Sequence, residues 1–147
     1  MLTIVIIGIV LALLFDFLNG MNDAANSIAT IVSTRVLSPG MAVLWAAFWN
    51  FAAYFVFGIH VANTIGKGII DPQIVSPPLI LSALVGAVVW VWVCTHYGLP
   101  ISVSHALIGG MIGPAWFVFG SNALVATGIL KIALFIVLSP LIGSMLD

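Results

Sequence analysis

Asn19-Gly20-Met21-Asn22-Asp23-Ala24-Ala25-Asn26-Ser27 concentrates carboxamides and a carboxylate in a chain that is otherwise poor in polar side chains. Taken as a helix, Asn19, Asn22, Asp23, Asn26, Thr30 and Ser33 follow at steps of three, one, three, four and three, which puts them on one face. Asp16 extends that face one turn earlier, and Ala24, Ala25, Ile28, Ala29, Ile31 and Val32 fill the rest. A helix facing water would carry Lys and Glu on its wet side. This stripe has neither and reads as the lining of a small polar cavity inside something apolar.

The composition says what surrounds that stripe. The chain is 63% hydrophobic and 5% charged and contains no Glu, against roughly 25% charged residues in an ordinary soluble domain. With a mean hydropathy of +1.34, it cannot cover a water-facing surface, so its partner is the lipid bilayer. A net charge of -1 leaves no electrostatic footprint for nucleic acid. The one cysteine, Cys94, excludes an internal disulfide and a Cys-rich metal site, and reads as an inert packing residue. The first 18 residues lack a basic n-region and a small-x-small cleavage site, so they read as a retained membrane helix.

A crossing needs about 20 apolar residues. Leu2–Leu18 supplies one, and the apolar sequence then runs on to Thr34, too long for a single crossing; Asn19-Gly20 is therefore the expected break. Ser38-Pro39-Gly40 is a turn. Met41–Ile59 is the second span, with alanines suited to close packing. His60–Pro78 reads as a polar connection in water or at the interface, and Leu79–Thr95 as the third span. Ile101–Phe119 is a fourth apolar segment made irregular by Gly109, Gly110, Gly113 and Pro114, and Ala123–Met145 a fifth, broken at Ser139-Pro140. Arg35 and Lys67 flank opposite ends of the second span and vote against each other on orientation. The expected fold is a single all-α transmembrane domain over residues 1–147, with about five hydrophobic segments and broken or re-entrant helices.

A second constellation lies at Gly98-Leu99-Pro100-Ile101-Ser102-Val103-Ser104-His105. Pro100 stops one element and Ser102 is a natural N-cap for the next. A helix N-terminus with free N–H groups favours an anion, and Ser102 and Ser104 add hydroxyl donors. The Gly109-x-x-x-Gly113 spacing suits close approach of another helix. Plainer roles exist for each residue. Ser102 serves as a cap alone, Ser104 back-bonds to the preceding turn, His105 is structural, and His60 and His96 sit at span ends. Asp16 and Asp23 are intramembrane carboxylates and functional by default, with orientation of Asn19 as the plainer role for Asp16.

Together, a carboxylate with carboxamide oxygens suits a small hard cation, and the N–H and O–H donors suit an oxyanion. Neither constellation contains Lys or Arg. An oxyanion held in a membrane without fixed positive charge calls for a co-bound cation, which describes cation-coupled anion transport. Asp23, Asn22, Asn26 and Asn19 are the candidates for the cation, Asn22, Asn26, Ser102 and Ser104 for the anion, and His105 and Asp16 for a proton-handling or supporting role.

Asn19-Gly20-Met21-Asn22-Asp23-Ala24-Ala25-Asn26 and Gly98-Leu99-Pro100-Ile101-Ser102-Val103-Ser104-His105-Ala106-Leu107-Ile108-Gly109-Gly110 resemble the two signatures of the inorganic phosphate transporter family. Ser104 stands where the family more often has Thr, which keeps the hydroxyl. The resemblance implies symport of phosphate with sodium or protons, no other cofactor, two inverted repeats, and a bacterial or archaeal plasma membrane. By that resemblance Asn22, Asp23 and Asn26 hold cation and phosphate, and Ser102 and Ser104 the phosphate. The family carries both motifs twice and this sequence once, so the resemblance implies an N-terminal half, completed by a second half or by a homodimer and not transporting alone.

Two other functions compete: transport of a different oxyanion such as sulfate, and a membrane subunit that only packs against a partner. An intramembrane hydrolase using Ser104, His105 and Asp23 fails on geometry. Adjacent side chains project about 100° apart on a helix, and no Gly-x-Ser-x-Gly elbow is present.

Overall fold

The computed structural model describes residues 2–57 and 68–146. The described residues include five long α-helices: α1 (Leu2–Ser33), α2 (Pro39–Phe57), α3 (Pro77–His96), α4 (Val103–Phe119) and α5 (Ala126–Leu146). Four are long and apolar enough to cross a membrane, and α4, at 17 residues, is shorter. Ile59, His60 and Lys67 lie outside the described residues.

α1 corrects the expected break. It runs unbroken for 32 residues through Asn19 and Gly20, a rod of about 48 Å. One glycine costs a helix about 1 kcal/mol, and the apolar turns on both sides carry it. The same holds for Pro140 inside α5 and Pro114 inside α4, which do not end their helices.

α1 stops in a Schellman motif. The Arg35 N–H donates to the Val32 carbonyl and the Val36 N–H to the Ile31 carbonyl, both at 3.1 Å. Arg35 takes the left-handed conformation this needs, at φ 58. The end of α3 has the same pattern, with Gly98 at φ 65 and the Leu99 N–H on the Cys94 carbonyl at 2.8 Å. Gly98 adopts that conformation without a steric penalty, whereas Arg35 has a Cβ to accommodate.

α3 is the central helix. Leu79, Ala83, Ala87, Val91 and Cys94 recur every three or four residues and are buried, packing α3 against α4 and α1. The close approach between α3 and α4 is at Gly110. A Cβ there would meet the Ala83 carbonyl at 2.5 Å and the Ala87 nitrogen at 3.3 Å, whereas Gly109 and Gly113 have nothing within 4 Å. The small-residue contact is thus one position off the Gly109-x-x-x-Gly113 reading.

The connection before α3 is also less exposed than its polar residues suggested. Ile69 and Ile70 are buried with Leu79, Ala115 and Ala123. Backbone bonds tie them to the turn after α4: the Asp71 N–H donates to the Ala123 carbonyl at 3.0 Å and the Val125 N–H to the Ile69 carbonyl at 2.9 Å. Two peptide groups that would otherwise be costly to bury are paired this way. α2 lies on the α1 side of the bundle, while α5 contributes no buried residue among those described. The apolar side chains on the outer faces of α1, α2 and α5 are solvated by lipid, and each helix satisfies its own backbone.

Candidate functional site

Adjacent residues on a helix point about 100° apart, and α1 uses this to divide its polar stripe. Asp16, Asn19, Asp23, Asn26 and Ser27 line a cleft of ≈ 440 Å³ between α1 and α2, closed on the α2 side by Asn50. Asp23 and Asn26 are exposed in it. Asn22 turns the other way. Its Nδ2 donates to the Leu18 carbonyl at 2.8 Å and to Thr95 Oγ1 on α3 at 3.2 Å, and Thr95 Oγ1 lies 3.3 Å from Asn22 Oδ1. The structure therefore brings Asp16, Asn19, Asp23 and Asn26 together and sets Asn22 apart as a bridge between helices.

Asn50 was missed from the sequence although it carried a signal, since it is an uncharged polar side chain in the middle of an apolar span. With it the cleft offers carboxylate and carboxamide oxygens from two helices, a set suited to a hard cation. Ser27 lines the cleft but turns its hydroxyl onto the Asp23 carbonyl at 2.9 Å.

In the second constellation Ser102 takes the N-cap position of α4. Ser102 is extended at φ -102 and ψ 114, and its Oγ accepts from the His105 N–H at 3.5 Å, a long cap bond. The N–H groups of Val103 and Ser104 then have no carbonyl within the helix. Ser102 and Ser104 face different spaces. Ser102 lines a cavity of ≈ 660 Å³ with Ser82, Trp90 and Cys94 on the α3 side. Ser104 lines one of ≈ 730 Å³ on the α5 side. His105 lines both, as a partition.

The two constellations meet across one hydrophobic cluster. Leu18, at the midpoint of α1, packs with Val91 of α3 and with Val103 and Ala106 in the first turn of α4. The residue whose carbonyl holds Asn22 thus also touches the start of the candidate anion site. Asp23 lines the α1–α2 cleft, Ser102 the cavity on the α3 side and Ser104 the cavity on the α5 side.

The described residues form an all-helical integral membrane fold with a carboxylate–carboxamide cleft on α1 and α2 and, separately, a helix N-terminus with open N–H groups on α4, and comparison with known proteins gives the family. The phosphate transporter family model matches residues 19–146, and the chain belongs to that family. It is 58% identical to a probable low-affinity inorganic phosphate transporter of Rhizobium meliloti, over 94% of this chain and 41% of that protein. A relative with the same description in Bacillus subtilis is 42% identical, over 99% of this chain and 44% of its own length. A solved structure described as the sodium-dependent phosphate transporter superposes with a TM-score of 0.89 at 39% identity, over 97% of this chain and 37% of that one. The chain spans about two fifths of the length of these relatives.

Proposed function

We propose that this chain takes part in the transport of inorganic phosphate across a membrane, driven by a co-transported cation. One observation carries the reading: the cleft of Asp16, Asn19, Asp23, Asn26 and Asn50 in a protein with hardly any other intramembrane carboxylates. Left facing lipid without a ligand or a covering surface, these groups would each cost on the order of 1–3 kcal/mol. Sodium is the favoured ion because the donors are hard oxygens, and because the solved neighbour is described as sodium-dependent. In this reading Asp23, Asn26 and Asn19 hold the cation. The open N–H groups of α4, flanked by Ser102 on the α3 side and Ser104 on the α5 side, hold the phosphate. Asn22 joins the two through Leu18 and Thr95, and Asp16 and His105 support the cation and anion sides.

We further propose that the open side of the cleft is covered by a second, inverted repeat or a second chain. The relatives have room for one, since this chain spans 41% of one and 44% of another. In repeat-built transporters the site lies at the interface between halves, and one half rocks against the other.

The test is uptake of radiolabelled phosphate into vesicles from cells expressing the chain in its natural assembly. The expected result is uptake that follows an inward sodium gradient, stops when choline replaces sodium, and survives a large excess of sulfate. Equal uptake in sodium and in choline at constant pH, with no response to a proton gradient, would exclude cation coupling.

A further inference from the structure

Along α1 and α3, the shared apolar cluster and the interhelical hydrogen bond follow one spacing. Phe15 and Val88, Leu18 and Val91, and Asn22 and Thr95 are pairs 73 residues apart. Steps of three and four on both helices make a parallel seam, with two apolar layers followed by one polar layer. The next layer would set Ala25 against Gly98, where α3 has already left the helix at φ 65. Asn22–Thr95 is therefore the last layer before α3 ends.

Both side chains are committed to that layer. Ser27, Ser33, Thr34, Ser82 and Ser144 each turn their hydroxyl onto a carbonyl three or four residues earlier, the usual resting place of such groups on a helix. Thr95 has the Val91 carbonyl one turn back and pairs with Asn22 instead. Asn22 Nδ2 donates to the Leu18 carbonyl at 2.8 Å and to Thr95 Oγ1 at 3.2 Å, which uses the two N–H groups of the carboxamide. The apolar layers alone do not choose a register, because lipid tails solvate Phe, Leu and Val as well as a neighbouring helix does. The polar layer does choose. A slip of one layer would set Asn22 against Val91 or Thr95 against Leu18, with their polar groups unpaired.

We propose that Thr95 is a positioning residue: through Asn22 it fixes the register of α1 on α3, and so the height of Asp23 relative to the N-terminus of α4. Asp23 follows Asn22 directly and turns about 100° away, into the α1–α2 cleft. The first turn of α4 is held on the same stretch of α3 through Val91, Val103 and Ala106. Both candidate ion sites are thus referred to α3, one by apolar packing and the other by the Thr95 hydroxyl. This rests on the transport reading above and adds to it a residue that acts on the cation side without lining the cleft.

The experiment uses the purified transporter assembly containing this chain, reconstituted in liposomes, with two readouts. Phosphate uptake against sodium concentration gives the half-saturating sodium. Spin labels at Val36→Cys and Tyr97→Cys, both exposed, beyond the ends of α1 and α3, report the register as a distance, and the native Cys94 is buried and stays unlabelled. Thr95→Val keeps the shape and removes the hydroxyl. It should raise the half-saturating sodium about three- to tenfold, the range set by interhelical hydrogen bonds in membranes. It should also broaden the label distance toward a second value about 5 Å away, one layer of slip. Thr95→Ser should restore both. A merely structural role would lower the melting temperature and leave the half-saturation of the folded protein unchanged. Either readout unchanged in folded Thr95→Val overturns the proposal. Where Thr95→Val fails to insert, Thr95→Ala removes the same hydroxyl and is read the same way. Absence of sodium-driven uptake in the wild type fails the transport reading alone, and the label distance then decides the register.

Discussion

Asn22 on α1 and Thr95 at the end of α3 face each other with carboxamide and hydroxyl paired, Nδ2 to Oγ1 at 3.2 Å and Oγ1 to Oδ1 at 3.3 Å. This interhelical pair joins the helix carrying the candidate cation cleft to the helix that leads into the candidate anion site. Thr95→Val preserves shape and removes the bond. Interhelical hydrogen bonds in membranes average about 0.6 kcal/mol and reach roughly 1.7. A cycle of Thr95→Val, Asn22→Leu and the double variant, read as thermal stability in detergent, should show coupling in that range. Additive effects would mean the pair contributes nothing.

Gly110 and Gly109 are neighbours in sequence and should differ sharply. Gly110→Ala drives a methyl into the Ala83 carbonyl on α3 and should cost about 1–3 kcal/mol by overpacking. Gly109→Ala meets nothing within 4 Å and should be neutral or slightly stabilising, since alanine is the better helix former. Paired melting curves check this. Equal behaviour of the two variants would contradict the close approach of α3 and α4.

These residues also show what the sequence could and could not disclose. Apolar runs and turn residues located the helices to within a few positions, because backbone in lipid has few alternatives to a helix. The Ser102 cap was legible because Pro100 and the serine hydroxyl act locally. Helix-facing was not. Asn19, Asn22, Asp23 and Asn26 shared a broad face on paper, yet α3 captured Asn22 through Thr95, 73 residues away. The glycine that packs, Gly110, is decided by where α3 lies and not by the spacing of Gly109 and Gly113. The continuity of α1 through Gly20 depends on flanking turns outweighing a local penalty.

Asp23→Asn keeps the shape of the cleft and removes its charge. Sodium-driven phosphate uptake by the assembly should be abolished while membrane insertion and expression remain normal. Asn50→Leu removes a neutral oxygen from the opposite wall and should raise the half-saturating sodium concentration several-fold, by about tenfold for each 1.4 kcal/mol lost. Wild-type sodium dependence in both variants would place the cation elsewhere.

Ser102 and Ser104 separate capping from anion binding. Glycine costs an N-cap only a few tenths of a kcal/mol, and the Ser102 cap bond is already long at 3.5 Å. The Ser102→Gly, Ser104→Ala double variant should therefore keep nearly all of its thermal stability. Its apparent phosphate affinity should fall at least tenfold. An unchanged half-saturation concentration would leave Ser102 as a cap and Ser104 without a ligand role.

The unbroken α1 has a mechanical consequence. A helix with no hinge at Gly20 can tilt as a lever about Leu18, its buried residue, which packs in one cluster with α3 and α4. A tilt of about 10° around that point swings each end by about 4 Å, while Asp23 and Asn26, close to the fulcrum, hardly move relative to each other. An ion proposed for the cleft could then be followed from a distance: a spin label near Thr3 would report the state of the cleft through displacement of the helix tip.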